Sequence, residues 1–154
     1  MLKTVLAAGV TLALLAACAP QPISPEAIAG TYAATLDYDA LVAAGALGGT
    51  ATYLKDKQYI QEFTPDGMNI WSEVTPLGPV QRYWGPFVLT ADEILFQKDQ
   101  GAGSCSERWQ GLDLTEEGRY KWKLDGDQLT FELISDECEG RTYSLIAQPW
   151  MRQP

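Results

Sequence analysis

The sequence predicts an all-β domain, a small antiparallel up-and-down barrel of about eight strands with one short N-terminal helix. Three observations carry this reading. From residue 50 the chain becomes a series of short runs rich in aromatic and β-branched residues, separated by turn signals. The clearest runs alternate with period two, Tyr120, Trp122 and Leu124 facing one way and Lys121 and Lys123 the other, as half-buried strands do. The connections are short, which favours sequential strand order, and closure removes the exposed edges an open sheet would leave.

Taken in order, Ser24-Pro25-Glu26 reads as an N-cap followed by proline at the first helical position, a turn that ends by Gly30. Thr31–Leu36 is the first strand. Asp37 or Asp39 caps a helical run Ala40–Ala44, Gly45 stops it, and Ala46–Gly49 is a glycine-rich break. Tyr53-Leu54 and Tyr59–Phe63 read as strand, Thr64-Pro65-Asp66-Gly67 as a turn, and Met68–Val74 as the returning strand. Val80–Trp84 and Phe87–Leu89 are separated by Gly85-Pro86, and Thr90-Ala91-Asp92 turns the chain into Glu93–Lys98. A loose segment, 99–118, precedes the Tyr120–Leu124 strand. Asp125-Gly126-Asp127 is a hairpin turn, Leu129, Phe131 and Leu133 alternate inward, and Thr142–Ala147 repeats the rule with Tyr143, Leu145 and Ala147 inward.

Charge and composition exclude several function classes. The 154 residues carry 11 Lys+Arg against 20 Asp+Glu, a net charge of −9, with no basic cluster to neutralise phosphates. Nucleic acid is therefore excluded as a partner. The chain has no histidine, so neither Ser-His-Asp nor Cys-His catalysis can operate. Paired carboxylates exist, but no spacing selects a pair for acid–base work; Gly101-x-Gly103 is too short for a phosphate-binding fingerprint. No catalytic residue, cofactor motif or metal set is assigned.

The N-terminus supplies an address. Lys3 is followed by a 14-residue apolar run, Thr4–Ala17, which is too short to cross a bilayer and is shaped like an export signal. Leu15-Ala16-Ala17-Cys18 resembles the lipobox of bacterial lipoproteins. That resemblance implies cleavage before Cys18, acylation of the Cys18 thiol and anchorage to a membrane through lipid at the new N-terminus. Removing residues 1–17 from the 154 leaves 137, one domain's worth. The expected organisation is a signal peptide over 1–17, a proline-rich lipidated tether over 18–29 and the barrel over 30–154. Ala19 lacks the acidic residue associated with inner-membrane retention, which implies the periplasmic face of the outer membrane in a Gram-negative host. Export also leaves Cys105 and Cys138 as an even pair in an oxidising compartment, read as a disulfide. A redox thiol or metal ligand is the rival reading, with no C-x-x-C spacing to support it.

Gly30-Thr31-Tyr32 is similar to the G-x-W that opens a lipocalin barrel, with Tyr in place of Trp. The stretch from Gly118-x-Tyr120-x-Trp122 through Leu129-Thr130-Phe131 to Asp136-x-Cys138-x-Gly140-Arg141 and Trp150 resembles a motif of uncharacterised lipocalin-like exported proteins. The resemblance implies an arginine late in the barrel that packs across the opening aromatic. Arg141 and Arg152 are both candidates.

Tyr32, Tyr120, Trp122, Phe131 and Tyr143 are the candidate lining of a cup for a small apolar or amphipathic ligand, or else the packing of a filled barrel. In the filled case the expectation is an envelope protein-interaction or inhibitor module, using exposed tryptophan and the surface around 101–112. Trp71 and Trp84, among polar neighbours, are expected at a mouth or a binding face. Asp136-Glu137-Cys138-Glu139 reads as a solvated turn paired with Arg141 rather than a calcium loop.

Overall fold

The computed structural model describes residues 21–101 and 117–154. Eight strands close into one barrel in sequential order: β1 (Gly30–Thr35), β2 (Gln58–Phe63), β3 (Met68–Thr75), β4 (Gly78–Leu89), β5 (Glu93–Phe96), β6 (Gly118–Asp125), β7 (Gln128–Ser135) and β8 (Trp150–Arg152). All neighbouring pairs are antiparallel, and Met151 of β8 closes the circuit by pairing with both Ala33 and Gln128. A 3-10 turn (Pro25–Ala27) precedes β1, with the Ser24 side chain accepting from the Glu26 amide. Three short helices complete the described residues: α1 (Tyr38–Ala43), α2 (Gly48–Leu54) and α3 (Glu139–Ile146).

The connections sort to two ends. Thr64–Gly67, Thr90–Asp92, the Gly126-Asp127 turn and the 3-10 turn lie at one end, which we call the turn end. The α1–α2 pair, the β3–β4 hairpin and α3 lie at the other, the helix end. The chain joins the barrel at the turn end, where Pro22 bridges to Thr90 and the Ile23 amide donates to Leu89 O at 2.8 Å. Of the 18–29 segment, the part from Pro22 onward therefore lies against the barrel.

Several local expectations are corrected. Residues 48–54, read as a glycine-rich break followed by Tyr53-Leu54 strand, form α2, because burial of Ala51 and Leu54 one turn apart stabilises a helix that local propensity does not. Thr142–Ala147 is not a strand but most of α3. Its buried residues Arg141, Thr142, Ser144 and Leu145 fit a helical face, and over six residues the periods 2 and 3.6 coincide too often to separate. The closing strand is instead Trp150–Arg152, only three residues long. Gly85-Pro86 does not interrupt β4. A Cβ at Gly85 would stand 2.9 Å from Lys98 O and 3.0 Å from Asp99 Cα, so this glycine marks a backbone crossing rather than a turn. Leu133 is exposed rather than inward, beside a register shift at Arg119/Tyr120.

Candidate functional site

The barrel interior is occupied by side chains in contact. Tyr59 stacks on Trp71 with centroids 4.3 Å apart, and Trp71 on Tyr83 at 5.0 Å, one ring from each of β2, β3 and β4. Phe63 meets Tyr32 at 5.9 Å, Phe87 at 5.4 Å and, across the barrel, Phe131 at 6.3 Å; Phe131 in turn meets Phe96 and Tyr120. These are edge-on, tilted and offset contacts of the kind aromatic pairs favour. Tyr32, Tyr59, Phe63, Ile94, Tyr120, Leu129 and Trp150 are no more than 1% exposed, so a water-sized sphere finds almost no room beside them. Two cavities lie on the outer wall. One of about 420 Å³ is bordered by Ala33, Gln58, Gln128, Gln148 and Met151, the other of about 280 Å³ by Val88, Glu93, Leu95 and Arg119.

Beneath the helix end lies a buried ion pair. Arg141, from the first turn of α3, donates Nε to Asp136 Oδ2 at 2.6 Å, Nη2 to Asp136 Oδ1 at 3.0 Å and Nη1 to Asp99 Oδ2 at 3.3 Å. The side chains of Arg141, Asp136 and Asp99 are 2%, 0% and 4% exposed. The Tyr120 hydroxyl also donates to Asp136, and the Cys138 amide donates to Asp136 Oδ1 at 2.8 Å. Burial alone would lower the Arg141 pKa, but the hydrogen bonds and negative charge of Asp136 outweigh it and raise it, so the guanidinium is held charged. Burial, reinforced by the charge of Asp136, pushes the Tyr120 hydroxyl well above its usual range; burial does the same to Tyr83 against a smaller opposing effect of Arg141. Gly118 makes room for the pair, since a Cβ there would stand 2.8 Å from Asp136 Cγ and 3.0 Å from Arg141 Nη2.

The two candidate arginines separate by position. Arg152 lies over the Tyr32 ring, its Cζ 5.0 Å from the centroid, and donates to Tyr32 OH at 2.6 Å and Ala29 O at 3.2 Å. It is the residue that packs across the opening aromatic, and Arg141 is the buried ion-pair partner. The other expected residues divide. Tyr32, Tyr120 and Phe131 point into the barrel. Trp122 is half-buried and donates Nε1 to Thr90 O at 3.1 Å at the turn end. Tyr143 stands on α3, half-buried against Gly45, and lines no cup. Trp71 is interior, contrary to its expected place at a mouth, because the ring stack outweighs its polar sequence neighbours; Trp84 is half-buried. Asp136 and Arg141 are paired as expected, but in the interior rather than in a solvated turn. Cys138 is disulfide-bonded. Cys18, Cys105, Trp109 and most of the 101–112 surface lie outside the described residues. Among the described residues, no group of His, Cys, Asp and Glu could hold a metal ion, and no helix is long and apolar enough to cross a membrane.

Sequence reasoning missed Asp99, Tyr83 and the two glycines that frame the ion pair. The available signal was glycine beside strand patterns, at 85 between two runs and at 118 just before Tyr120, where it can mark close approach of other groups.

At the helix end, Glu73 is held between Lys57 at 3.2 Å and Arg82 at 2.8 Å. Burial would raise its pKa, but the two cations outweigh that and hold it below the usual carboxylate range. Compared with protein-family models, curated proteins and solved structures, the chain matches none.

Proposed function

We propose that this chain is a lipid-anchored protein of the bacterial envelope that acts by binding another protein, its barrel serving as a filled scaffold. The address rests on the Leu15-Ala16-Ala17-Cys18 lipobox, and the lack of catalysis on the absence of histidine and of a framed nucleophile. One observation supports a surface role over an interior one, the ring-on-ring contact of Tyr32, Phe63, Phe96, Tyr120 and Phe131 with almost no exposed area, which leaves little space for a ligand. Ala19 after Cys18 supports the periplasmic face of the outer membrane in a Gram-negative host. A Cys105–Cys138 disulfide belongs to the same reading; closing a loop over their 33-residue separation stabilises by roughly 3–4 kcal/mol on the chain-entropy view. Intact mass of the membrane-extracted protein tests the anchor: diacyl or triacyl Cys18 as the first residue is expected, and a product retaining residues 1–17 overturns it.

A second reading, a small amphipathic ligand inside the barrel, is favoured by Gln61 Oε1, Trp71 Nε1 and Tyr83 OH, which are buried without a hydrogen-bond partner. Such groups are costly to bury unmatched, and a ligand's polar head could match them if the Tyr59–Trp71–Tyr83 stack opened. Titration with a fluorescent fatty-acid probe decides between the two. No saturable binding is expected for the filled scaffold; saturable binding that quenches tryptophan emission would replace the first reading with the second.

A further inference from the structure

The larger outer-wall cavity, of about 420 Å³, has an order that the packing of the interior does not explain. Its floor is Ala33 of β1 beside Met151 of β8, which are registered partners, and its rim is four glutamines from four segments of the chain. Gln128 of β7 lies on one side, registered opposite Met151. Gln58 of β2 lies on the other, registered opposite Thr35 of β1. Gln148, which precedes β8, donates its side-chain amide to Thr35 O toward the helix end. Gln153, which follows β8, donates its side-chain amide to Met151 O at 2.8 Å and its backbone amide to Thr31 O at 2.8 Å, toward the turn end. The Gln58 and Gln128 side chains are exposed and hydrogen-bond to no other described residue. Among the described residues no charged side chain borders the cavity, in a chain whose residues are 20% charged.

We infer that this cavity binds a short neutral saccharide. The inference goes beyond the function proposed above and needs neither the lipid anchor nor a protein partner. What each class of occupant would leave unmatched decides among them. A charged ligand would lose hydration and find no opposite charge to replace it. A wholly apolar ligand would cover four amides and strand their donors and acceptors. An extended peptide gains affinity by adding to a free strand edge, and the floor offers none, because Met151 is paired on both sides, with Ala33 and with Gln128. A sugar ring has C–H groups on its face and hydroxyl or acetamido groups around its perimeter. Laid flat, it sets the face on Ala33 and Met151, and the surrounding amides, which both donate and accept, meet the perimeter. Gln148 and Gln153 are already held by backbone carbonyls, so half of the rim is fixed before binding and loses little freedom on it. The volume of about 420 Å³ lies within the roughly 300–1,000 Å³ of small-molecule sites.

The test is NMR titration of the full chain in detergent micelles with tri-N-acetylchitotriose and, separately, with cellotriose, which carries hydroxyls but no acetamido groups. The expected result is saturable shifts of the Ala33 and Met151 methyl signals and of the Gln58 and Gln128 side-chain amides. Tighter binding of the chitotriose assigns the site to acetamido sugars; equal or tighter binding of cellotriose assigns it to plain hydroxylated glycans. Gln58→Ala and Gln128→Ala should each weaken binding by roughly three- to ten-fold, as loss of a hydrogen bond does, while Gln81→Ala, exposed on β4, leaves it unchanged. All three side chains are exposed, so these variants should keep the parent Tm. No shift with either sugar at about 10 mM, where a site of millimolar Kd is mostly filled, overturns the inference. An affinity unmoved by both rim substitutions, or tighter binding of a blocked alanine peptide at the same methyl groups, also overturns it. None of these outcomes bears on the anchor, which intact mass tests separately.

Discussion

Replacing Arg141 with methionine should be among the most damaging single changes in the barrel. The side chain makes three hydrogen bonds to two carboxylates, all three side chains being at most 4% exposed. Methionine fills much of the volume but leaves Asp136 and Asp99 without that cation. Removing one partner of a buried ion pair costs about 3–5 kcal/mol, chiefly through the charge left behind. For a domain of this length, at about 3–5 °C per kcal/mol, that is a fall in Tm of about 9–25 °C. Arg141→Lys retains the charge but not the fork that meets both oxygens of Asp136, and should cost about half as much. Urea unfolding followed by tryptophan fluorescence and far-UV dichroism measures these directly. The double variant Arg141→Met/Asp136→Asn closes the cycle: because the second change removes one of the two stranded charges, the pair should cost at least about 1 kcal/mol less than the sum of the singles. An Arg141→Met cost under about 1 kcal/mol, or strict additivity, would refute the reasoning.

Three further outcomes follow from the same geometry. Tyr32, Tyr59, Tyr83 and Tyr120 all have hydroxyl pKa values raised first of all by burial. Their contribution to stability is complete below the unfolded value near 10 and declines as pH rises above it, since the unfolded chain releases these protons first; absorbance near 295 nm should show them ionising together with unfolding, and ionisation well before unfolding would contradict the packing. Arg152→Met removes two hydrogen bonds and a cation–π contact on Tyr32 and should cost about 1–3 kcal/mol in urea unfolding, with an unchanged midpoint arguing against its bracing role. Gly118→Ala drives a methyl group against Asp136 and Arg141 and should destabilise by about 1–3 kcal/mol in thermal melts, whereas Gly49→Ala, inside α2 where a Cβ meets nothing within 4 Å, should leave stability unchanged or raise it by up to about 1 kcal/mol.

Much of the strand content was legible in the chain. Alternation and hairpin chemistry marked β6, β7 and the turn between them, because a strand with one face on the core writes its period into the sequence. The rest needed partners distant along the chain. β8 is three residues long and has no period of its own; it is a strand because Met151 meets Ala33 on one side and Gln128 on the other. α2 and α3 are helices because buried faces select that geometry over ambiguous local preference. The candidate lining was half legible: period two turned Tyr120 and Phe131 inward, while Tyr143 was misassigned with the helix that carries it.

The sequence by itself determined that this is an all-β chain with hairpin-linked strands, without the imidazole that His-dependent hydrolysis requires and with an acidic balance unsuited to nucleic acid, since these depend only on residue identity and short-range order. Only the tertiary structure decided that the strands close, that the aromatic rings meet across the interior, that Arg152 braces Tyr32, and that Arg141 is buried against Asp136 and Asp99. Those outcomes depend on which groups, separated by tens of residues, compete for the same space, and burial energies and ion pairing settle that competition only once the chain has folded around them.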